Sequence, residues 1–291
     1  MTKQEKALRK VDVPLYNYLQ ALVLSFFSNR LYVDVGKRWK GFGILYLLFV
    51  TCLLAIPFAV RINLEFNNFF EEQIINPLKQ IPPLYIQNGK VSLDKPMPYL
   101  IKNKKGEVVT IIDTTGEINA IDDRYPDLTT LITKDKFFYR VPPPHFFFAK
   151  GVQPIKNPVY SQTLSESINQ VFDGEAWIKS SGIERIKWLS QVIVYPTIAL
   201  LFFVIFLILF LVFALMGQFV AKLFFNLTIS YKQTCRLLMV AATPQIVVLL
   251  LGLTFNLLFP GFGLLLLVLL FGYFCFAVIS LKRESQKLVV S

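Results

Sequence analysis

Three long stretches of this chain contain no charged residue and no histidine: residues 41–60, 188–221 and 237–281. Together they make up 99 of the 291 residues, and leucine, phenylalanine, valine and isoleucine dominate each of them. A membrane-spanning helix needs roughly 20 consecutive apolar residues to cross a hydrocarbon core about 30 Å thick. Because a soluble domain does not need such runs, these stretches predict an integral membrane protein.

The lengths of the runs predict four spans. Residues 41–60 make one span, and the second run is too short for two helices and a turn, so it contains one span near 192–216. The third run is too long for one helix, and the dipeptide Pro260-Gly261 marks a tight connection inside it. That connection divides the third run into spans near 237–259 and 262–281.

The distribution of charge predicts the orientation of these spans. Of the net charge of +11, residues 1–40 carry +5, residues 217–236 carry +3 and residues 282–291 carry +2, whereas residues 61–188 carry only +1. Short basic segments stay in the cytoplasm. Both termini are therefore expected inside a bacterial inner membrane, with residues 61–188 extracytoplasmic.

The predicted fold class is an α-helical membrane protein with four transmembrane helices, one before and three after an inserted extracytoplasmic α+β domain. The expected segments are a basic amphipathic N-terminus (1–40), the first span (41–60), the β-rich outer domain with helical stalks (61–188), spans two to four (189–281) and a cytoplasmic tail (282–291).

The excess of basic residues is explained by topology and by attraction to anionic lipid headgroups at the cytoplasmic face, so nucleic acid is not an expected partner. Trp39 and Trp188 are expected to be interfacial anchors at opposite edges of the membrane. Residues 13–33 have an amphipathic helical pattern. That helix is expected to lie on the inner leaflet or, alternatively, to pack against the protein's own basic loops.

The outer segment has alternating helix and strand signals. Residues 62–80 predict a helix that ends before Pro82-Pro83, and residues 161–187 predict a second helix returning to the membrane. Asn88-Gly89 predicts a hairpin turn, because both residues tolerate positive φ. The predicted strands are Leu84–Gln87, Val91–Leu93, Pro98–Lys102, Val108–Asp113, Leu128–Thr133 and Phe137–Val141.

Four residues of the third predicted span are candidate intramembrane polar or kink positions: Thr243, Pro244, Gln245 and Asn256. A proline kinks a membrane helix and frees a carbonyl that neighbouring polar side chains satisfy. Interhelical hydrogen bonding is the expected role of these polar groups. A polar path lined by Gln245 and Asn256 is the alternative.

No catalytic, metal-binding or cofactor-binding residues are predicted. The sequence from Asp113 to Gly116 loosely resembles an aspartic-protease motif, but an extra threonine interrupts it and no second copy exists, so a strand end and turn is expected there. His145 is the only histidine, and a zinc site would need more ligands of this kind. We therefore expect a protein that is not an enzyme.

Two sequence motifs in the outer segment carry a family resemblance. Pro83–Lys90 (PLYIQNGK) and Ile111–Gly116 (IIDTTG) resemble a bacterial membrane-protein family of unknown function, often labelled maltodextrin-utilisation protein, YvdJ-like. The resemblance covers about Tyr18 to Lys282. The last spans, with Ala241–Pro244 and the Pro260-Gly261 turn, are more weakly similar to Yip-type membrane domains. Neither likeness implies catalytic residues.

These observations favour a non-enzymatic inner-membrane protein that organises or regulates other membrane components through its outer domain. Membrane lipids and other membrane proteins are the expected partners, with a homo-oligomer as one possibility. The alternative is an accessory or pore-forming subunit of a transporter, related to sugar uptake. An enzyme acting at the outer surface through Asp113 or His145 is the least favoured hypothesis.

Overall fold

The computed structural model describes residues 13–141 and 157–290, with side chains described as far as Glu284. The chain divides into two compact units, one made of residues 1–61 and 194–291 and the other of residues 62–193. We call the first the helical unit and the second the β unit. Each has its own buried apolar residues.

The described helices are α1 (Tyr18–Leu24), α2 (Asn29–Lys37), α3 (Ile44–Phe70), a π-helical turn (Glu71–Ile75), α4 (Asn76–Gln80), α5 (Gly174–Ser181), α6 (Ile183–Phe225), α7 (Tyr231–Ala241), α8 (Thr243–Phe255) and α9 (Phe262–Val290). The described strands are β1 (Leu84–Gln87), β2 (Lys90–Ser92), β3 (Tyr99–Lys102), β4 (Val108–Asp113), β5 (Thr130–Thr133), β6 (Lys136–Arg140), β7 (Val159–Thr163) and β8 (Gln170–Phe172).

Several helices are long and apolar enough to cross a membrane, as a multi-pass protein requires. Among the described residues these are Ile44–Gln80, Ile183–Phe225 and Phe262–Glu284, and α7 with α8 makes a fourth if that bent pair counts as one span. The span expected near 237–259, with a kink at Pro244, consists of two helices. Two helices meet there at 40°, because Pro244 has no amide hydrogen to donate and lies in the first turn of a new helix.

The amphipathic stretch at 13–33 forms two helices instead of one. Ser28 begins α2, its hydroxyl accepting a hydrogen bond from the amide of Leu31. Leu31 and Tyr32 are fully buried, and α2 packs against α7 and α9. The helix α2 thus packs on the protein itself, as the alternative expected, but against two helices and not against basic loops.

The β unit contains a three-stranded sheet of order β2-β1-β8 and a five-stranded sheet of order β3-β4-β5-β6-β7. All pairs are antiparallel except β4 with β5. The predicted strands are confirmed, with boundaries that differ by no more than two residues. The prediction of helix throughout 161–187 is wrong, because β7 and β8 come before the helix, which starts only at Gly174. These strands are stabilised by pairing with distant strands.

The predicted helix at 62–80 is confirmed as the end of α3, the π-helical turn and α4, which ends at Gln80. The ion pair between Lys187 Nζ and Glu71 Oε1, at 2.6 Å, joins the π-helical turn to the first part of α6. Phe70, Ile75 and Ile178 form a small apolar cluster in the same part of the β unit.

Candidate functional site

A buried carboxylate organises the start of the helical unit. Asp34 on α2 is fully buried and accepts hydrogen bonds from the amides of Leu15, at 3.0 Å, and Tyr16, at 3.3 Å. It also accepts from Arg38 Nη1 at 3.2 Å and from Trp39 Nε1 at 3.1 Å. A buried charge is tolerated only when it is paired and hydrogen-bonded. Asp34 therefore fixes the chain before α1 onto α2.

Trp39 does not present its side chain to the surroundings, as an interfacial anchor would. Its side chain is buried, because the indole N–H needs a buried acceptor and finds one in Asp34. Trp188, in contrast, is largely exposed. The expectation of a membrane-facing anchor is thus wrong for Trp39.

A second buried charge lies at the end of α2. Arg236 on α7 donates hydrogen bonds to the carbonyl oxygens of Gly36 and Trp39. The last carbonyls of a helix have no partner within the helix, and a cation is favourable there. Arg236 therefore links α7 to the C-terminus of α2. In the sequence, Arg236 is recognisable only as one of the basic residues of the segment 217–236.

The candidate polar positions of the third span are not brought together. Thr243 is buried and its hydroxyl lies 2.8 Å from that of Tyr46 on α3, an interhelical hydrogen bond of the expected kind. Gln245 is also buried, and its Oε1 has no hydrogen-bond partner among the described residues. Asn256 is exposed and ends α8 with a positive φ of 55°. It lies about 16 Å from Gln245 along the helix axis.

Arg61 supplies a cation at this end of α8. Its Nη1 donates to the carbonyl oxygens of Leu253, at 2.6 Å, and Thr254, at 3.0 Å. Gly261 follows with a φ of +93°, directly before α9 begins. The connection expected at Pro260-Gly261 is confirmed.

A polar groove of about 800 Å³ opens at the start of α2 and the far end of α9. Arg30 and Arg38 on α2 and Arg283 on α9 line it, together with Glu284 and Phe27. In the sequence these arginines contribute only to the basic charge of the segments 1–40 and 282–291, and their spacing does not indicate that they converge. We call this the arginine groove.

The two turns predicted in the β unit have the backbone geometry expected of them. Asn88 and Gly89 have φ values of 49° and 71° and connect β1 to β2, with Gln87 opposite Lys90. After β4, Asp113 accepts hydrogen bonds from the amide and hydroxyl of Thr115, at 2.8 and 2.6 Å, and from the amide of Ile118. Gly116 in this turn has a φ of +89°.

The Asp113 carboxylate is therefore a structural group in a turn. Burial alone would raise its pKa, but the hydrogen bonds from the Thr115 hydroxyl and the amides of Ile118, Thr115 and Gly116 outweigh burial and lower the pKa. His145 lies outside the described residues, so the structure does not test the hypothesis that pairs it with Asp113.

We expect Asp113→Asn to lower the free energy of unfolding by about 2 kcal/mol at neutral pH, because hydrogen bonds to a charged acceptor are lost. Since the folded-state pKa is lowered, this contribution is fully present above the ordinary aspartate pKa of about 3.9 and is lost as the pH falls through the folded-state value. Thermal unfolding of both proteins over a pH series measures the difference. A difference that stayed constant down to about pH 2 would contradict the assignment.

The β unit also has a mostly apolar groove of about 450 Å³. Phe137, Tyr139 and Trp177 line part of it. Phe137 and Tyr139 stack with ring centroids 5.8 Å apart, and Tyr139 stacks on Tyr160 of β7 at 5.3 Å. We call the three stacked rings (Phe137, Tyr139 and Tyr160) the aromatic ladder. Two of its rings are on a predicted strand, but the third is on β7, which the sequence interpretation missed.

Comparison with known proteins gives one curated relative and one family. The chain is 24% identical over 116 residues to an uncharacterized protein of Rickettsia prowazekii (strain Madrid E), an alignment that covers 36% of this chain and 40% of that protein. No solved structure matches the chain. A family model described as a protein of unknown function, DUF1189, matches residues 19–278. The chain therefore belongs to the DUF1189 family of proteins of unknown function.

Proposed function

We propose that this chain crosses a bacterial inner membrane four times, with the bent pair of α7 and α8 as the third span. Both termini would lie in the cytoplasm and residues 61–188 outside it. The concentration of positive charge in the three short segments 1–40, 217–236 and 282–291 supports this orientation. The same segments would face the anionic headgroups of the inner leaflet.

We further propose that the protein is not an enzyme and that it organises or regulates other membrane proteins by binding them through the β unit. The observation that carries this proposal is the aromatic ladder beside an edge strand. Tyr139 and Tyr160 are partly exposed, and every residue of β7 is exposed. Among the described strands, β7 lies at one edge of the five-stranded sheet.

This combination is typical of a surface that binds an extended protein segment. The unpaired N–H and C=O groups of an edge strand pair with a segment of another chain. Tyrosine and phenylalanine are enriched in protein interfaces, where they contribute large contact areas. A partner segment paired along β7 would lie beside the aromatic ladder.

Site-specific photocrosslinking in native membranes tests this function. We expect a photoreactive phenylalanine analogue at Tyr160 to give a defined crosslinked protein. The same analogue at Lys104, an exposed turn residue on the β3–β4 connection, is the matched control. A specific product that forms at position 160 but not at position 104 supports the proposal, whether the captured protein is a different one or a second copy. Identical products at both positions, or none at 160, would overturn it.

The transporter-subunit alternative has one observation in its favour. The break at Ala242 lies beside buried Thr243 and Gln245, and discontinuous helices often form binding sites in transporters. On this alternative, Gln245→Leu would abolish sugar uptake by reconstituted vesicles, whereas the principal proposal expects no uptake to lose. The maltodextrin-utilisation label and the Yip-type likeness both stay predictions.

A further inference from the structure

The arginine groove concentrates positive charge that is only partly neutralised by the protein itself. Arg38 pairs with Asp34, but no described residue forms a hydrogen bond or ion pair with the guanidinium of Arg30 or Arg283. Glu284 is the acidic residue among the groove's lining. With Arg38 paired to Asp34, Arg30 and Arg283 against Glu284 leave an excess of one positive charge, which an anion in the groove would offset.

The position of Arg283 indicates where such an anion would be. Arg283 and Glu284 lie on α9, two and three residues after the charge-free run 237–281. The first charged residues that follow a membrane-spanning run lie at the level of the lipid headgroups. The packing of α2 against α9 places the start of α2 beside the same end, so Arg30 faces the same groove.

The surroundings of the groove favour a lipid over a free anion. Phe27 lines it and is 65% exposed. On the neighbouring α1, Leu19 and Val23 are 64% and 58% exposed, and their four-residue spacing places them on one side of the helix. An exposed apolar helix face next to basic residues is typical of a segment lying in the lipid interface.

We propose that the arginine groove binds the phosphate of an anionic phospholipid headgroup, with Arg30 and Arg283 as its principal ligands. Guanidinium groups form bidentate hydrogen bonds to phosphate oxygens. Phe27 and the exposed side of α1 would contact the glycerol and acyl region of the same lipid. This inference rests on the proposed placement of the basic segments against an anionic leaflet.

Lipid binding to the full-length protein in detergent tests the groove, with phosphatidylglycerol and phosphatidylcholine titrated separately and bound lipids counted by native mass spectrometry. We expect the wild type to bind phosphatidylglycerol preferentially. Arg30→Gln and Arg283→Gln should each weaken that binding about tenfold, since a hydrogen bond to a charged group contributes on this scale. Equal binding of the two lipids by the wild type would overturn the proposal.

The matched control is the double variant Lys40→Gln/Lys222→Gln. It removes the same two charges as Arg30→Gln/Arg283→Gln, from exposed residues that do not line the groove. We expect less than about a threefold effect from this control, because exposed charges are screened by salt and neither lysine lines the groove. An equal loss in both double variants would show that only overall charge matters and would overturn the proposal.

Glu284→Gln is expected to have the opposite effect to the arginine variants. It removes the carboxylate that lines the groove, so binding of phosphatidylglycerol should tighten. Unchanged or weaker binding would contradict the site, and this variant does not depend on removing an arginine.

Inorganic phosphate distinguishes the source of the anion. Millimolar phosphate is added to the titrations to see whether it displaces bound lipid. If it does, and the wild type does not prefer phosphatidylglycerol over phosphatidylcholine, the groove binds a free anion and the lipid assignment is overturned.

Failure of the groove and failure of the proposed recognition function are separable. If the groove binds no lipid, photocrosslinking from position 160 is unaffected. If position 160 captures no partner, the lipid titrations can still show whether the groove prefers phosphatidylglycerol.

Discussion

Alanine in place of Asp34 is expected to lower the free energy of unfolding by about 3 kcal/mol, because several donors lose a charged acceptor and each such hydrogen bond contributes about 1.5–3 kcal/mol. The carboxylate is fully buried and accepts hydrogen bonds from two backbone amides, the Trp39 indole and Arg38. Without it, the amides of Leu15 and Tyr16 and the indole N–H of Trp39 lose their acceptor. Thermal unfolding of the full-length protein in detergent, followed by tryptophan fluorescence, measures the loss.

Asp122→Ala is the control for this prediction. The side chain of Asp122 is 40% exposed and pairs with Arg124 at 2.8 Å, and solvent-accessible ion pairs contribute little to stability. We expect its unfolding midpoint to stay close to that of the wild type. Equal midpoints for Asp34→Ala and Asp122→Ala would mean that the Asp34 cluster does not organise the helical unit.

Gly174→Ala is the second substitution with a large expected effect. A Cβ at Gly174 would lie 1.9 Å from the carbonyl oxygen of Leu78, closer than any non-bonded contact allows. The obstructing atom belongs to the backbone, so α4 and α5 must separate. We expect a loss of about 3 kcal/mol or more, at the upper end of the cost of overpacking. Protease resistance of residues 62–193 in the full-length protein reports this change locally.

Gly263→Ala is the matched control, because it makes the same chemical change where nothing lies within 4 Å of the new Cβ. Alanine in a helix is more favourable than glycine, so this variant should be as stable as the wild type or slightly more stable. Unchanged protease resistance in Gly174→Ala would contradict the close contact between α4 and α5.

Much of the β unit could be predicted from local sequence. β1 and β4 have the predicted boundaries, because alternating or continuous apolar residues and strong turn residues such as Asn88-Gly89 are local signals. β7 was missed because all five of its residues are exposed, so its sequence has no burial pattern. Its position depends on pairing with β6, with Tyr139 opposite Tyr160.

The helical unit shows a different limit of sequence interpretation. The charge-free runs and the connection at Pro260-Gly261 depend on composition and are visible in the sequence. The arginine groove is not, because Arg30 and Arg283 come together only through the packing of α2 on α9. The Asp34 cluster could be predicted only in part. Its contact with Arg38 has the ordinary i,i+4 spacing of a helix, but its contact with Leu15 joins residues 19 positions apart.

The most direct test concerns the proposed topology, in which residues 61–188 lie outside the cytoplasm and the segments 1–40, 217–236 and 282–291 lie inside it. Single cysteines at Lys104 and at Lys222, in a background with Cys52, Cys235 and Cys275 replaced by alanine, test it with a membrane-impermeant maleimide. We predict that the cysteine at 104 is labelled in intact spheroplasts and that the cysteine at 222 is labelled only after permeabilisation. Labelling of position 222 in intact spheroplasts, or protection of position 104, would contradict the account.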